Sequence, residues 1–496
     1  METETKTSLP RPPKLWEALL SFGVLIAVMA IGISVFEVDP HIPMIIGTAF
    51  AACMAIRMGY KWKFVENAMF EGIRQALQAI IILSIIGVLI GVWIVTGVVP
   101  TMIYYGLQII TPTFFLVATL ITCSITSLVT GNSWGTAGTI GLALMGIAVG
   151  LDIPLPMAAG AVISGAYFGD KMSPLSDTTN LTPAVIGIDV FTHVKFMWKS
   201  TIPVYIIAFI IYLILGFQFS SDQTDMTHTR QIMDGLGEHF NLSPILILPL
   251  LVVIGSIGLK TPAIPGIFLG IVTGGILGMI IQGINFGDLL SAAYAGGDSD
   301  IGDETLDSLL SAGGLENMMY SISLTILAMS FGGIMEKTGQ LEVVVEKLVS
   351  VAKSVTSLVG ITMLTCFTSN VTMPEQYIAL IVPGRMYNGI YRKRGLHPKM
   401  LGNALECSAT VSSPLIPWNT CGVYMASVLG VSALQFAPWA FFNYITPVVV
   451  FIMTAAGLLT VKAEEDPNSI HESNIESVLA ETNLSQAVPR AVKIKT

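Results

Sequence analysis

The polar stretch GDKMSPLSDTTN, residues 169–180, lies between long apolar segments of this chain. A charged side chain at bilayer depth costs at least about 2.5 kcal/mol, so Asp177 is expected to face a cavity, a partner or an ion. Pro174 interrupts a helix there, because it lacks a backbone N–H and disfavours helical geometry at the residue before it. The freed backbone carbonyls and Asp177 together predict an ion site in a discontinuous transmembrane helix.

Composition places the rest of the chain in a membrane as well. Of its 496 residues, 53% are hydrophobic and 11% are charged, whereas a soluble domain has about 25% charged residues. Long apolar runs, each about the length of a membrane span, occupy residues 19–36, 76–99, 196–217 and 245–259. We therefore predict an all-α polytopic membrane protein in the lipid bilayer. The net charge of −9 then belongs to loops and tail and does not indicate nucleic-acid binding.

Short motifs of the first half recur in the second half. The pairs are Thr96-Gly97 with Thr338-Gly339, Thr130-Gly131-Asn132 with Thr368-Ser369-Asn370, and Ser173-Pro174-Leu175 with Ser413-Pro414-Leu415. This recurrence predicts a first transmembrane repeat at residues 15–218 and a second at 243–460. A polar, mostly acidic linker, residues 219–242, lies between them.

Loop charges indicate that the two repeats have opposite topology. The basic loop around Lys61 corresponds to residues 288–316, which are acidic and contain no Lys or Arg, and the nearly uncharged turn at Asp152 corresponds to the basic residues 385–399. Basic loops collect on the cytoplasmic side, so each loop changes sides between the repeats, as in inverted-topology repeats. The linker is then external. The protein is expected in the cell membrane, with residues 1–14 and 461–496 on its cytoplasmic side. The polar, non-periodic tail is expected to be disordered.

Two segments have apolar arms around a small polar tip and are predicted to be re-entrant hairpins. They lie around residues 130–136 and 368–375, and two complete spans are the alternative for the first. Tip residues Asn132, Ser133, Thr136 and Glu375 are possible ligands. Small polar residues also serve close helix packing, and an acid after proline commonly caps a helix.

The broken segment at residues 412–420 is the second-repeat partner of the Asp177 stretch. Two broken helices that meet near the membrane midplane offer carbonyls, hydroxyls and helix ends to one site. All-oxygen ligands suit a small alkali cation rather than a transition metal. The predicted cation- and proton-binding residues are Asp177, Ser173, Ser176, Thr178, Asn180, Ser413, Asn419, Thr420 and Glu406.

Several charged residues also have a structural interpretation. Asp170 and Lys171 can form a structural ion pair, and Glu406 can make a hydrogen bond that packs two helices. Arg385 belongs to a basic inner loop or holds an organic anion, which a guanidinium binds well.

The strings GAYFGDKMSPLSDTTNL, residues 165–181, and SPLIPWNTCG, residues 413–422, resemble the NhaC-type sodium/proton antiporter family. The resemblance extends over residues 15–460. It implies two inverted repeats with paired hairpins and Pro-broken helices, usually in a homodimer whose transport domains move against a scaffold. It also implies exchange of Na⁺ for H⁺, and some members couple these ions to malate and lactate. From the oxygen-bearing residues themselves we predict Na⁺ at Asp177, Asn180 and Asn419, and no cofactor is expected.

The predicted function is thus Na⁺/H⁺ antiport with Asp177 as the carboxylate that both ions share. The alternative is Na⁺- and H⁺-coupled exchange of small carboxylates such as malate and lactate. It requires a cationic or amide-rich pocket, and Arg385 or Lys171 within reach of Asp177 would favour it. An enzyme is not expected, because the sequence contains no Walker motif, dinucleotide fingerprint, zinc-ligand spacing or nucleophile triad.

Overall fold

A computed structural model describes residues 10–219, 226–259, 261–297, 301–350 and 352–463. The regular secondary structure of these residues is helical, apart from one isolated antiparallel bridge between Leu396 and Lys462. Eight described helices are long and apolar enough to cross a membrane, or up to ten if each of two sharply bent helix pairs is one span. The prediction of an all-α polytopic membrane protein is confirmed. The predictions for residues 1–9 and 464–496 lie outside the described residues.

The first half contains eleven described α-helices, and a π-helical turn at Ala137–Gly141 joins the seventh to the eighth. In order they are α1 (Leu15–Ser34), α2 (His41–Arg57), α3 (Trp62–Gln75), α4 (Leu77–Val95), α5 (Val98–Ile109), α6 (Pro112–Thr130), α7 (Ser133–Thr136), α8 (Leu142–Gly150), α9 (Leu155–Met172), α10 (Asp177–Ile186) and α11 (Val190–Gly216).

The predicted linker contains a helix, and the second half follows it. The helices are α12 (Met226–His239), α13 (Leu248–Gly258), α14 (Ala263–Ile281), α15 (Phe286–Ala295), α16 (Glu304–Leu310), α17 (Gly314–Lys337), α18 (Gln340–Ser350), α19 (Val355–Thr372), α20 (Gln376–Lys393), α21 (Pro398–Leu405), α22 (Thr420–Leu429), α23 (Ala433–Phe436) and α24 (Phe441–Ala455). Both halves have a helix pair joined at a tip, then a broken helix and a final apolar helix. The inversion of one half relative to the other stays a prediction.

Helix packing divides most of the chain into two groups. One, the α4 group, contains α2, α3, α4, α13, α14, α15 and α17, and the other, the α9 group, contains α6–α11, α19–α22 and α24. Glycines allow the closest approaches within each group. A Cβ on Gly72 of α3 would lie 2.1 Å from the Met329 carbonyl oxygen of α17, and one on Gly169 of α9 would lie 2.5 Å from the Leu128 nitrogen of α6. Such backbone contact is typical of membrane helices with small residues at the interface.

Both predicted Pro-broken helices are present. In the first half, α9 ends at Met172 and α10 begins at Asp177. Between them, Ser173 and Ser176 have extended backbone. In the second half, α21 continues into a π-helical turn at Glu406–Thr410 and a 3₁₀ turn at Ser413–Leu415 before α22 begins. Proline lies inside each interruption, so the local chemistry that predicted the breaks also accounts for them.

The predicted hairpins correspond to two pairs of helices joined at tight tips. Helix α6 and the segment Ser133–Gly150 meet at Gly131 and Asn132, and α19 and α20 meet at residues 373–375. The arms of the first pair are 19 and 18 residues long, about the length of a membrane span. Whether they re-enter or cross completely stays a prediction.

One ionic cluster joins the linker helix to both halves. His228 of α12 has its Nδ1 atom 2.8 Å from the Asp152 carboxylate and its Nε2 atom 2.8 Å from the Asp303 carboxylate. The hydrogen bond to Asp303 and the charge of Asp152 raise the pKa of His228 above its usual value, although partial burial acts in the opposite direction. The protonated form of His228 therefore favours this junction.

Candidate functional site

A cavity of about 500 Å³ lies between the α4 group and the α9 group. Its α9-group wall is formed by the first hairpin tip, the interruption between α9 and α10, and the second hairpin tip. The predicted site residues that line it are Asp170, Asp177, Ser176, Thr178, Asn180, Asn132, Ser133 and Glu375. Sequence-distant elements that the motifs singled out therefore meet in one place.

Gly131 fixes the contact between the first tip and the helix break. Its φ of +65° is in the left-handed region, and a Cβ there would lie 2.6 Å from the Leu175 carbonyl carbon. Glycine adopts this conformation readily and leaves room for the neighbouring backbone. The tip can therefore lie directly against the segment that precedes Asp177.

Asp177 is the first residue of α10, and its side chain is exposed to the cavity. The positive end of a helix dipole stabilises a negative charge at this position. No hydrogen bond or ion pair joins the Asp177 carboxylate to any residue that the structure describes. The carboxylate is thus available to a cation or a proton.

Asn180 lies one turn further along α10 and also lines the cavity. Its Nδ2 atom donates to the Pro174 carbonyl at 2.8 Å and to the Ser176 carbonyl at 2.7 Å. Both bonds use the amide nitrogen, which leaves the amide oxygen for another ligand. Ser176 and Thr178 hydrogen-bond to each other through their hydroxyls at 3.0 Å.

The predicted ion pair between Asp170 and Lys171 is wrong. The Asp170 carboxylate lines the cavity and accepts a hydrogen bond from the Ser133 hydroxyl at 2.7 Å. Lys171 is fully buried on another side of α9, where its Nζ atom donates to Thr201 at 3.2 Å and contacts the Cys407 sulfur at 3.0 Å. Consecutive residues of a helix do not face each other, which explains the separation.

Glu375 brings the second hairpin tip to the same cavity. The residue is 4% exposed, precedes α20, and accepts a hydrogen bond from the Thr420 hydroxyl at 2.8 Å. It also accepts the Tyr377 backbone N–H at 3.4 Å, so the helix cap and the cavity position belong to the same side chain. The capping contact is present, and a role of Glu375 as a ligand stays a prediction.

Six predicted ligands, including Thr136 and Glu406, are buried but do not line the cavity, and the other four bond to neighbouring loops. Ser413 donates to the Gln376 side chain at 3.2 Å, Asn419 caps α22 through the Cys421 N–H at 3.0 Å, and Thr420 is bonded to Glu375. Ser173 accepts the Leu175 N–H at 3.2 Å. These groups hold the loops that carry the cavity-lining residues. Thr136 is helical instead, and its hydroxyl donates to the Asn132 carbonyl at 2.9 Å.

Glu406 is also outside the cavity lining. It is fully buried, and the hydroxyls of Thr182 and Thr410 donate to its two carboxylate oxygens, each at 2.6 Å. Thr182 belongs to the first broken helix and Thr410 to the second. Glu406 thus makes the packing hydrogen bonds of its structural interpretation and ties the two broken helices together.

The α4 group supplies a wall that sequence reasoning missed. It includes Gln75 and Gln78, near the start of α4, and the apolar residues Ala79, Ile82 and Ile257. Two glutamines beside the first turn of a very apolar helix were the available signal. Across both walls the lining residues include three carboxylates and no Lys, Arg or His, so the site is electrostatically suited to cations.

Comparison with known proteins gives consistent matches. The model of the Na⁺/H⁺ antiporter family matches residues 165–458. The chain is 37% identical over 443 residues to the Na⁺/H⁺ antiporter NhaC of Alkalihalophilus pseudofirmus, covering 89% of this chain and 95% of that protein. It is 36% identical over 463 residues to the malate-2H⁺/Na⁺-lactate antiporter of Bacillus subtilis, which covers 92% of this chain and 99% of that protein. It is 35% identical over 458 residues to the Na⁺/H⁺ antiporter NhaC of Bacillus subtilis, which covers 91% of this chain and 99% of that protein.

Proposed function

This chain belongs to the Na⁺/H⁺ antiporter family, and we propose that it exchanges Na⁺ for H⁺ across the cytoplasmic membrane, with Asp177 holding either ion in turn. The observation that carries the assignment is the Asp177 carboxylate, which faces the cavity from the start of α10 without a hydrogen-bond donor among the described residues. The protein is a transporter rather than an enzyme. We propose that it needs no cofactor.

The exchange follows from a single shared carboxylate. Na⁺ stabilises the ionised form of Asp177, whereas departure of Na⁺ leaves a poorly solvated charge that favours protonation. Because one carboxylate carries one of the two ions at a time, Na⁺ and H⁺ move in opposite directions. No separate proton relay is required.

Oxygen-bearing side chains that line the cavity also come from the same loop and first helix turn as Asp177. We propose that Na⁺ binds Asp177, the free amide oxygen of Asn180, and the hydroxyls of Ser176 and Thr178. Hard oxygen donors of this kind suit an alkali cation. We propose that Asn419 holds the start of α22 in place and does not bind Na⁺ itself, since its side-chain atoms hydrogen-bond to Asn370 and Cys421.

Alternating access would arise from movement of the α9 group against the α4 group. The proposed carboxylate lies on the first group, and the cavity separates the two. We further propose inverted repeats, cytoplasmic termini and a homodimer. Light scattering of the purified protein in detergent tests the dimer, and a monomer mass at working concentrations would exclude it.

Purified protein in vesicles tests the exchange directly. Vesicles loaded with Na⁺ and diluted into Na⁺-free medium should acidify inside, because outward Na⁺ movement drives H⁺ inward. Protein-free vesicles and vesicles loaded with K⁺ are the controls. If the internal pH does not respond to the Na⁺ gradient in either direction, the proposed function is wrong.

Exchange of small carboxylates is a second candidate. The similarity to the malate-2H⁺/Na⁺-lactate antiporter favours it, and so do the amide side chains that line the cavity, Gln75, Gln78, Asn132, Asn180 and Gln376. Neither Lys171 nor Arg385 lines the cavity, so the basic partner expected for this function is not at Asp177. Labelled malate and lactate in the same vesicles provide the test.

A further inference from the structure

The cavity at Asp177 is much larger than a bound sodium ion requires. Its volume is about 500 Å³, whereas one water molecule occupies about 30 Å³ of liquid and pockets for small organic molecules begin at about 300 Å³. Even a partly hydrated Na⁺ would fill a small part of this space. The site has room for an organic molecule beside the cation ligands.

The two walls of the cavity differ in chemistry. The α9 group contributes the carboxylates of Asp170, Asp177 and Glu375, while the α4 group contributes the apolar side chains of Ile82 and Ile257. A hydrated metal ion gains nothing from apolar surface. A hydrocarbon chain does, because its burial removes apolar area from water. The apolar wall is therefore an observation separate from the carboxylates.

Charge decides which kind of organic molecule fits. No basic side chain lines the cavity, so a substrate carboxylate would face three protein carboxylates without a cationic partner of its own. An ammonium group would be attracted to all three. Trp134 and Tyr377 also line the cavity, and aromatic rings attract cations through their faces. The lining thus favours an amine over an organic acid or an amino acid.

We propose that this cavity also binds a small aliphatic amine or diamine that lacks a carboxylate, in competition with Na⁺. One ammonium group lies at Asp170 and Asp177, and the hydrocarbon chain lies against Ile82 and Ile257. The second ammonium group of a diamine reaches Glu375. The inference rests on the proposed function, because it takes this cavity as the transport site.

Equilibrium dialysis of the purified full-length protein with labelled putrescine tests binding without relying on transport. Saturable binding should be displaced by NaCl more effectively than by KCl at equal ionic strength. Cadaverine and methylamine should compete, whereas malate, lactate and ornithine should not. Glu375→Gln should weaken putrescine more than methylamine, since only the diamine has a second ammonium group.

Two tryptophan substitutions on the same helix separate a cavity effect from a folding effect. Ile82→Trp places a larger side chain at the apolar wall and should weaken putrescine binding about tenfold, because the ring occupies the space proposed for the hydrocarbon chain. Ile81→Trp is the matched control, because Ile81 is 47% exposed and makes no part of the cavity lining. It should leave putrescine binding unchanged.

The outcomes distinguish this inference from the proposed function. Na⁺/H⁺ exchange without saturable binding of any of the three amines would overturn the amine site and leave the antiport intact. Amine binding without Na⁺/H⁺ exchange would do the reverse. Binding of malate or ornithine in preference to putrescine would also reject the amine site, and equal effects of the two tryptophan variants would remove its placement against α4.

Discussion

Replacing Asp177 by asparagine should abolish Na⁺-dependent proton movement while leaving the fold intact. The carboxylate has no hydrogen-bond partner among the described residues, so asparagine removes its charge without breaking a protein contact. Opposite charges about 4 Å apart at an effective dielectric constant of about 20 attract by about 4 kcal/mol, and ion dehydration offsets part of this. A net loss of about 3 kcal/mol corresponds to roughly 150-fold weaker Na⁺ binding.

The assay is internal pH in everted vesicles at several external pH values and Na⁺ concentrations. Wild-type protein should need more Na⁺ as the pH falls, because protons compete for the same carboxylate. Asp177→Asn should reach the membrane at normal amounts and show no Na⁺ response at any pH. Robust exchange by this variant with an unchanged pH profile would refute the shared-carboxylate mechanism and redirect attention to Glu375.

Two comparison variants sharpen this result. Asp170→Asn should keep partial activity, because the Asp170 carboxylate, unlike that of Asp177, is already bonded by Ser133. Glu406→Gln should keep the wild-type Na⁺ affinity, since two threonine hydroxyls occupy its oxygens outside the cavity, but it should lower stability by about 1–3 kcal/mol by disturbing those bonds. If Glu406→Gln instead reproduces Asp177→Asn, the two carboxylates act in one site.

Three further predictions concern the junctions, the tip and the topology. The pKa of His228 is raised in the folded protein, so its ion pairs stabilise the fold fully below the unfolded pKa of about 6.5. This stabilisation is lost as the pH rises through the folded pKa. Between about pH 6 and pH 9 the unfolding temperature should therefore fall more for wild type than for His228→Gln. Gly131→Ala should impair exchange and lower thermal stability more than Gly395→Ala. Both positions have positive φ, but only at Gly131 does backbone lie within 4 Å of the new Cβ. Equal effects of the two variants would exclude the close approach at Gly131. Cysteines replacing Asp234 and Lys63 in a cysteine-free background should react with an impermeant thiol reagent from opposite sides, and labelling of both from outside would contradict the predicted orientation.

The helix breaks were predictable from the residues at each break, but the directions in which the side chains of the broken helices point were not. Pro174 and Pro414 mark their interruptions in any tertiary context, because proline changes the backbone itself. The choice of ligands depended instead on how each broken helix is rotated. Small residues on every side of such helices give no apolar stripe from which to read the rotation. Ser413 and Asn419 consequently point into supporting hydrogen bonds rather than the cavity.

The apolar wall could not be assigned from sequence for a related reason. Ile82 and Ile257 look like ordinary lipid-facing residues of apolar helices, and only the assembly of α4 against the other group gives them a second environment. Glu406 shows the opposite case. A carboxylate in a membrane helix is a functional candidate by default, yet each oxygen of this one accepts a hydrogen bond from a neighbouring threonine outside the cavity.

The unequal walls of the cavity also suggest why transport would stay coupled. All three carboxylates belong to the α9 group, while the facing α4-group wall offers amides and apolar side chains and no charge. If the α9 group slides along that wall, an ionised Asp177 without Na⁺ loses hydration and meets no compensating charge, at a cost of at least about 2.5 kcal/mol. Na⁺ or H⁺ removes this cost by neutralising the carboxylate. The movement is then slow when the site is empty and fast when either ion is bound, so an ion gradient is not dissipated by empty return, and exchange is favoured over a leak.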